Sequence, residues 1–186
     1  MPIETLFHAA ELAYTGRELR SHFALDAFGV AGDSAVAFVG PCRVERADLV
    51  DLLDARAGAF IASPRMVHLI VEHFGLALVE AVLRQRLLAR LAADLLREGG
   101  VPDVRVRGND LYAAGRKASV SVATLSPVSA LIHFGVNVRT EGTPVPAWGL
   151  AEARIEPESF ARSLLGSYAR ELVDIHRAAS KVRGVP

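Results

Sequence analysis

The chain has 186 residues, enough to bury a substantial core, and its 51% apolar and 23% charged content excludes a disordered or low-complexity protein. Lys+Arg and Asp+Glu both number 21, so the formal net charge is zero and the electrostatic footprint of a general nucleic-acid binder is missing. A single cysteine, Cys42, excludes an internal disulfide framework and a multi-cysteine zinc site.

The opening "MPIETLFHAAEL" carries acids early and no long apolar core, so no export leader is predicted. No uncharged apolar run approaches the ~20 residues of a membrane span. These features predict a reduced, cytoplasmic, globular protein with neither a membrane nor a nucleic acid as partner. "SAVAFVG" (34–40) reads as a short buried strand ended by Gly40-Pro41, and "RADLVDLLDARAG" as one or two helical turns. Ser63-Pro64 has the form of a helix start, with serine as N-cap and proline in the first turn. Val67, Ile70, Val71 and Phe74 then follow at spacings of three and four, as one helical stripe. Past Gly75, the segment 76–98 predicts the longest helix. Its expected apolar stripe is Val79, Val82, Leu83, Leu87, Leu91 and Leu95, packed across a sheet, and Gly99-Gly100 ends it.

From Val104 the period changes to two. "VRVRG", "NDLYAAG", "RKASVSVATL" and "SALIHFGVNV" read as successive antiparallel strands. A Pro/Gly loop follows, and an amphipathic helix from Pro157 to about Val182 closes the chain. The expected class is α+β: one domain over 1–186, an antiparallel sheet with helices packed mainly on one face.

The candidate residues have bland readings as well as functional ones. Lys117, at the head of a strand after a tight Ala-Ala-Gly turn, is on residue type alone a solvated lysine; functionally it is a point charge for a carboxylate, acyl or phosphate oxygen. Asn109-Asp110 is a turn-forming pair. His133 and Asn137, four apart on one strand, share a face that either points outward or lines a pocket. His68 and Glu72, four apart on the expected first helix, predict a structural ion pair, with no metal. Cys42, after the strand break, is either a small buried hydrophobe or an acyl-accepting nucleophile activated by a nearby cation or histidine.

"NDLY", then "GRK" on a strand, then a strand ending "GVNV" resembles the central block of biotin-protein ligases over residues 107–138. "GPCRV", "VEHF", "QRLL", "HFGVNV" and "GTPVPAWGL" are similar to an uncharacterised prokaryotic family, domain of unknown function 366, over nearly the whole chain. The resemblance implies the biotin/lipoate-ligase and class II synthetase-like fold. It implies that Lys117 binds an acyl carboxylate and the adjoining phosphate, that Asn109 and Asn137 lie near a nucleotide, and that Arg116 is their neighbour. The implied chemistry is attack of a carboxylate on the α-phosphate of ATP, with Mg, to give an acyl-adenylate. The glycine- and arginine-rich upstream loop of those ligases has no match; Tyr14, Gly16 and Arg17 in "YTGRELRSHF" stand at the analogous place. Tryptophan and proline before the Asn-Asp pair are replaced by Arg107 and Gly108. The leading expectation is a ligase or transferase for a small-molecule carboxylate, with an acyl carrier as acceptor and a homodimer allowed. An ATP-independent acyltransferase using Cys42, or a non-catalytic binding module, are the other readings. The pocket is expected on the sheet face bearing Lys117, Asn137 and His133.

Overall fold

The computed structural model describes residues 2–185. Its elements run β1 (Glu4–His8), α1 (Phe23–Phe28), β2 (Ser34–Val44), α2 (Leu52–Arg56), β3 (Ile61–Phe74), α3 (Leu78–Glu98), β4 (Arg105–Arg107), β5 (Asp110–Ala113), β6 (Arg116–Lys117), β7 (Ser119–Leu125), β8 (Ser129–Arg139) and α4 (Pro157–Ser180). Two sheets form, one of five strands in the order β1-β2-β3-β8-β7 and one of three, β4-β5-β6. All pairings are antiparallel except β1 with β2. Among the described residues no helix is long and apolar enough to cross a membrane.

Alternation on the central strands divides the molecule. Val67, Leu69 and Val71 of β3 and Ile132, Phe134 and Val136 of β8 face α3 and α4 in the main core. Val36, Phe38, Met66 and Ile70 point to the opposite face and join Tyr14, Phe23 and Cys42 in a second cluster. Both long helices therefore cover one face, and the other is left to loops and the short helix α1.

Three local expectations are corrected. Residues 61–74 form a strand, not a helix begun at Ser63-Pro64. Every side chain from Met66 to His73 is buried, because β3 is central and covered on both faces, so the two-residue alternation that marks a strand is erased. Branched Val67, Ile70 and Val71 suit that environment. Pro64 has no partner in either neighbouring strand and coincides with a register shift, where its missing N–H costs no ladder bond.

For the same reason β2 does not stop at Gly40-Pro41. It runs through to Val44 across a bulge between Gly40 and Cys42. A Cβ on Gly40 would collide with the Leu12 main chain, so only glycine lets the Leu12 segment lie against the bulge.

The third correction concerns α3, whose length matches expectation but whose buried face does not. Ala81, Gln85, Leu88, Ala92 and Leu96 face inward, while Val79 and Leu83 are 71% and 61% exposed. Small alanines let the helix lie close to the sheet; Leu87, Leu91 and Leu95 flank that contact half-buried. The β4 to β8 strands fall where the two-residue period places them. Ala114 and Gly115, at φ 49° and 73°, supply the two left-handed residues of a tight β5–β6 hairpin turn.

Candidate active site

On the sheet face away from the helices lies a cavity of about 440 Å³. β7 and β8 form its floor, residues 59–62 and 48–54 one wall, and residues 143–147 another. Lys117, Asn109, Asn137 and His133 all line it, brought together from two strands, β6 and β8, and a turn. Much of the remaining lining is apolar, including Phe60, Ile61, Met66, Val120 and Val122.

The placement of Lys117 follows from main-chain bonds on both sides. Its carbonyl accepts from Trp148 N–H at 2.9 Å, and the next residue, Ala118, donates to Leu111 at 2.8 Å and accepts from Asn137 N–H at 3.0 Å. The ammonium meets Asp110 at 3.0 Å, with the side chain one-third exposed. An ammonium has three N–H groups, so this pair leaves donors for a ligand. Asn109 Oδ1 accepts from Arg86 Nε at 3.1 Å, and its carbonyl accepts from Ser121 Oγ at 3.1 Å. Ser121 in turn accepts from buried Gln85 of α3 at 2.7 Å, so the main helix holds this corner of the site. A glutamine on the inward face of an otherwise alanine- and leucine-lined helix was the sequence signal for that tie.

Three candidates lie elsewhere. The Arg116 side chain turns to Glu152, 2.6 Å away, and to the Ala147 carbonyl, outside the cavity lining. Arg17 reaches Asp48 at 3.6 Å, is 80% exposed and does not line the cavity. Only Tyr14 of the 14–17 segment does. Cys42 is buried beside Tyr14, and burial, with Glu18 adding to it, pushes its thiol up to about 12. A nucleophilic role needs a thiolate, and at neutral pH this thiol stays protonated. We expect Cys42 in the folded protein to react with iodoacetamide at pH 8 roughly a thousandfold more slowly than a free cysteine, and normally once unfolded. A thioester trapped on Cys42 would contradict that expectation.

His68 and Glu72 are not a helical ion pair. On β3 they stand about 13 Å apart, four residues at ~3.3 Å each. Glu72 is buried; both its oxygens accept from His22 N–H at 3.0 Å, and one accepts from Ser129 Oγ at 2.5 Å, tying α1 and β8 to β3. His68 Nδ1 lies 3.1 Å from His133 Nε2 beneath the cavity, and His68 Nε2 lies 3.3 Å from the Gly40 carbonyl. Tyr14 stacks on His133 with centroids 3.7 Å apart. Burial lowers His68 to about 3; it takes His133 well below its ordinary value, with neighbouring His68 adding to the effect.

Gly135 sits between His133 and Asn137 on the same face. A Cβ there would come within 2.8 Å of Met66 Cε and 3.2 Å of His133 Cε1. Gly135→Ala should therefore cost ~1–3 kcal/mol by overpacking and displace His133. Denaturant unfolding measures the first effect and His133 ring shifts the second.

A β-sheet with both long helices on one face and a lined cavity on the other defines a protein of the biotin/lipoate-ligase-like fold. The solved biotin protein ligase from Aquifex aeolicus in complex with biotin and ATP superposes with a TM-score of 0.60, at 15% identity over 90% of this chain and 70% of that one. The putative lipoate protein ligase from T. acidophilum with bound lipoic acid superposes at 0.54, with 14% identity over 94% and 95%. Residues 3–183 match the family model described as Domain of unknown function (DUF366), and the chain belongs to that family. It is 32% identical over 183 residues to an uncharacterized protein of Methanocaldococcus jannaschii, covering 95% of this chain and 82% of that one. A solved protein of unknown function from Pyrococcus horikoshi is 38% identical with a TM-score of 0.94, over 99% and 100% of the two chains.

Proposed function

We propose that this protein binds a small, largely apolar carboxylate in the cavity and activates it, as a ligase or transferase working through an acyl-adenylate. The observation that carries the reading is Lys117. It is a single ammonium, held by main-chain bonds on both sides, at the wall of a cavity whose lining includes the apolar Phe60, Ile61, Met66, Val120 and Val122. That arrangement suits an anionic head on an apolar body.

ATP with Mg is the activating co-substrate in this reading. The lining offers one lysine against Asp48, Asp51, Asp54 and Asp110, so a triphosphate suits this wall only as its magnesium complex. Asp48 is engaged by Arg17, Asp51 caps α2, and Asp110 holds Lys117. Asn109 and Asn137 are the amides available to a nucleotide, and Lys117 the cation for the reacting carboxylate and phosphate.

The same acid-rich wall favours a second reading, a binding module that takes the carboxylate without adenylating it. ATP–pyrophosphate exchange in the presence of a carboxylate panel separates the two. Exchange supports the ligase; carboxylate binding without exchange supports the module.

In both readings Lys117→Ala removes one charge-assisted hydrogen bond and should cost ~1.5–3 kcal/mol of carboxylate affinity with little change in folding stability. Lys117→Arg should also be impaired, because a planar fork does not replace a compact ammonium. Calorimetric titration of wild type and both variants provides the measurement, and unchanged affinity in Lys117→Ala would return this residue to the solvated surface.

A further inference from the structure

The floor of the cavity has a proton arrangement that can be worked out from one fixed point. The Gly40 carbonyl has no proton to give, so His68 Nε2, 3.3 Å away, must be the donor. His68 is fully buried and kept neutral by that burial, so its other nitrogen, Nδ1, carries only a lone pair. His133 Nε2, 3.1 Å from that lone pair, must then bear the proton between them. His133 is also neutral, which leaves its Nδ1 bare.

That last nitrogen has no hydrogen-bond partner among the described residues. The only fully buried side-chain polar atom among them without a partner is Ser34 Oγ, so His133 Nδ1 keeps some access to solvent. The solvent space that His133 borders is the cavity. Tyr14 lies flat on the imidazole, and Gly135 offers no Cβ to push it aside, so the ring plane is held.

We propose that the cavity reads a hydrogen-bond donor on its ligand: His133 Nδ1 is a fixed acceptor that takes an O–H or N–H from the ligand end remote from Lys117. The inference rests on the carboxylate reading of Lys117 and extends it to the other end of the ligand. Lys117 lies beside Asn137, since Asn137 N–H bonds the Ala118 carbonyl. Asn137 is four strand residues from His133, about 13 Å at ~3.3 Å per residue. The ligand class is therefore an extended apolar carboxylate with a hydroxyl or an N–H at its far end.

A terminal methyl or ether would strip water from the lone pair without replacing the bond. A second carboxylate would set an anion against it. His68 acts through His133 and is a positioning residue: it fixes which nitrogen is bare.

Two measurements on the full chain test this. Long-range proton–nitrogen correlation spectra of the histidine rings should show both His68 and His133 as Nε2–H tautomers at neutral pH, and His68→Phe should release His133 to a mixture. A wild-type His133 with its proton on Nδ1 overturns the proposal without any variant having to fold. Calorimetry with ω-hydroxydecanoate, ω-methoxydecanoate and decanoate should give roughly tenfold tighter binding of the hydroxy acid than of either other probe. That preference should vanish in His133→Leu and partly return in His133→Gln, whose amide oxygen accepts.

Equal binding of the hydroxy and methoxy acids by wild type, while Lys117→Ala still weakens both, overturns the His133 inference and leaves the carboxylate reading standing. A hydroxyl preference that survives esterification of the carboxylate supports the His133 acceptor and removes the Lys117 reading instead. No binding of any probe at millimolar concentration overturns the ligand class stated here.

Discussion

Between pH 7 and pH 5 the protein should lose about 2 kcal/mol of unfolding free energy through His68, with His133 acting in the same direction. Both rings are buried and neutral, with His68 lowered to about 3 and His133 well below its ordinary value. In the unfolded chain each titrates near ~6.5, so as the pH falls the unfolded state takes up protons that the folded state resists, about 2 kcal/mol for His68 over this interval. The stabilising contribution of the neutral rings is complete above ~6.5 and is lost as the pH drops toward the folded values. Burial lowers His73 as well, against the opposing pull of Asp33 2.8 Å away, so it acts in the same direction. Urea unfolding at the two pH values measures the slope, and a His68→Phe/His133→Leu double variant should flatten most of it. An equal slope in that variant would place the acid sensitivity elsewhere.

Tyr168→Ala should cost about 3–5 kcal/mol, the range for removing a large buried aromatic ring. Tyr168 is fully buried on α4, among the largest side chains of the main core. Its hydroxyl also bonds His73 Nε2 of β3 at 2.8 Å, and His73 Nδ1 reaches Asp33 just before β2. Tyr168→Phe keeps the ring and should cost ~0.5–1.5 kcal/mol by removing that hydrogen bond, because Arg84 Nη1, 3.1 Å from the same imidazole nitrogen, keeps it partnered. Equilibrium denaturation separates the two contributions. Equal costs for both variants would mean that the hydrogen bond, not the packed ring, is what α4 contributes here.

Much of the architecture was legible in the sequence, for local reasons. Residues 119–125 alternate visibly because β7 faces semi-polar surroundings, and the Ala114-Gly115 turn announces a tight hairpin. The extents of α3 and α4 follow from their uninterrupted helical composition, the glycines after α3 and the proline that opens α4. The strand β3 was not legible: with both faces buried its apolar residues are continuous, and a subset of any continuous run fits helical spacing. The inward face of α3 was missed because leucines usually mark the buried stripe, whereas here close approach to the sheet selects alanines.

The site divides in the same way. Lys117, Asn109 and Asn137 stand out through the order of their motifs along the strands, and the fold brings them with His133 to one cavity. That Arg116, Arg17 and Cys42 stay outside it depends on partners distant in sequence, Glu152, Asp48 and the second core cluster.

What the sequence determines by itself is period, turn chemistry and charge, because these reside in neighbouring residues and their spacing. Only the tertiary structure decides which residues share a cavity and which protonation they carry. His68 and His133 are 65 positions apart, and no local pattern marks either as half of a pair. Antiparallel pairing of β3 with β8 puts both rings on one face, and the β2 bulge sets a lone carbonyl under His68. From that one carbonyl the tautomer of each ring, and the bare nitrogen facing the cavity, follow.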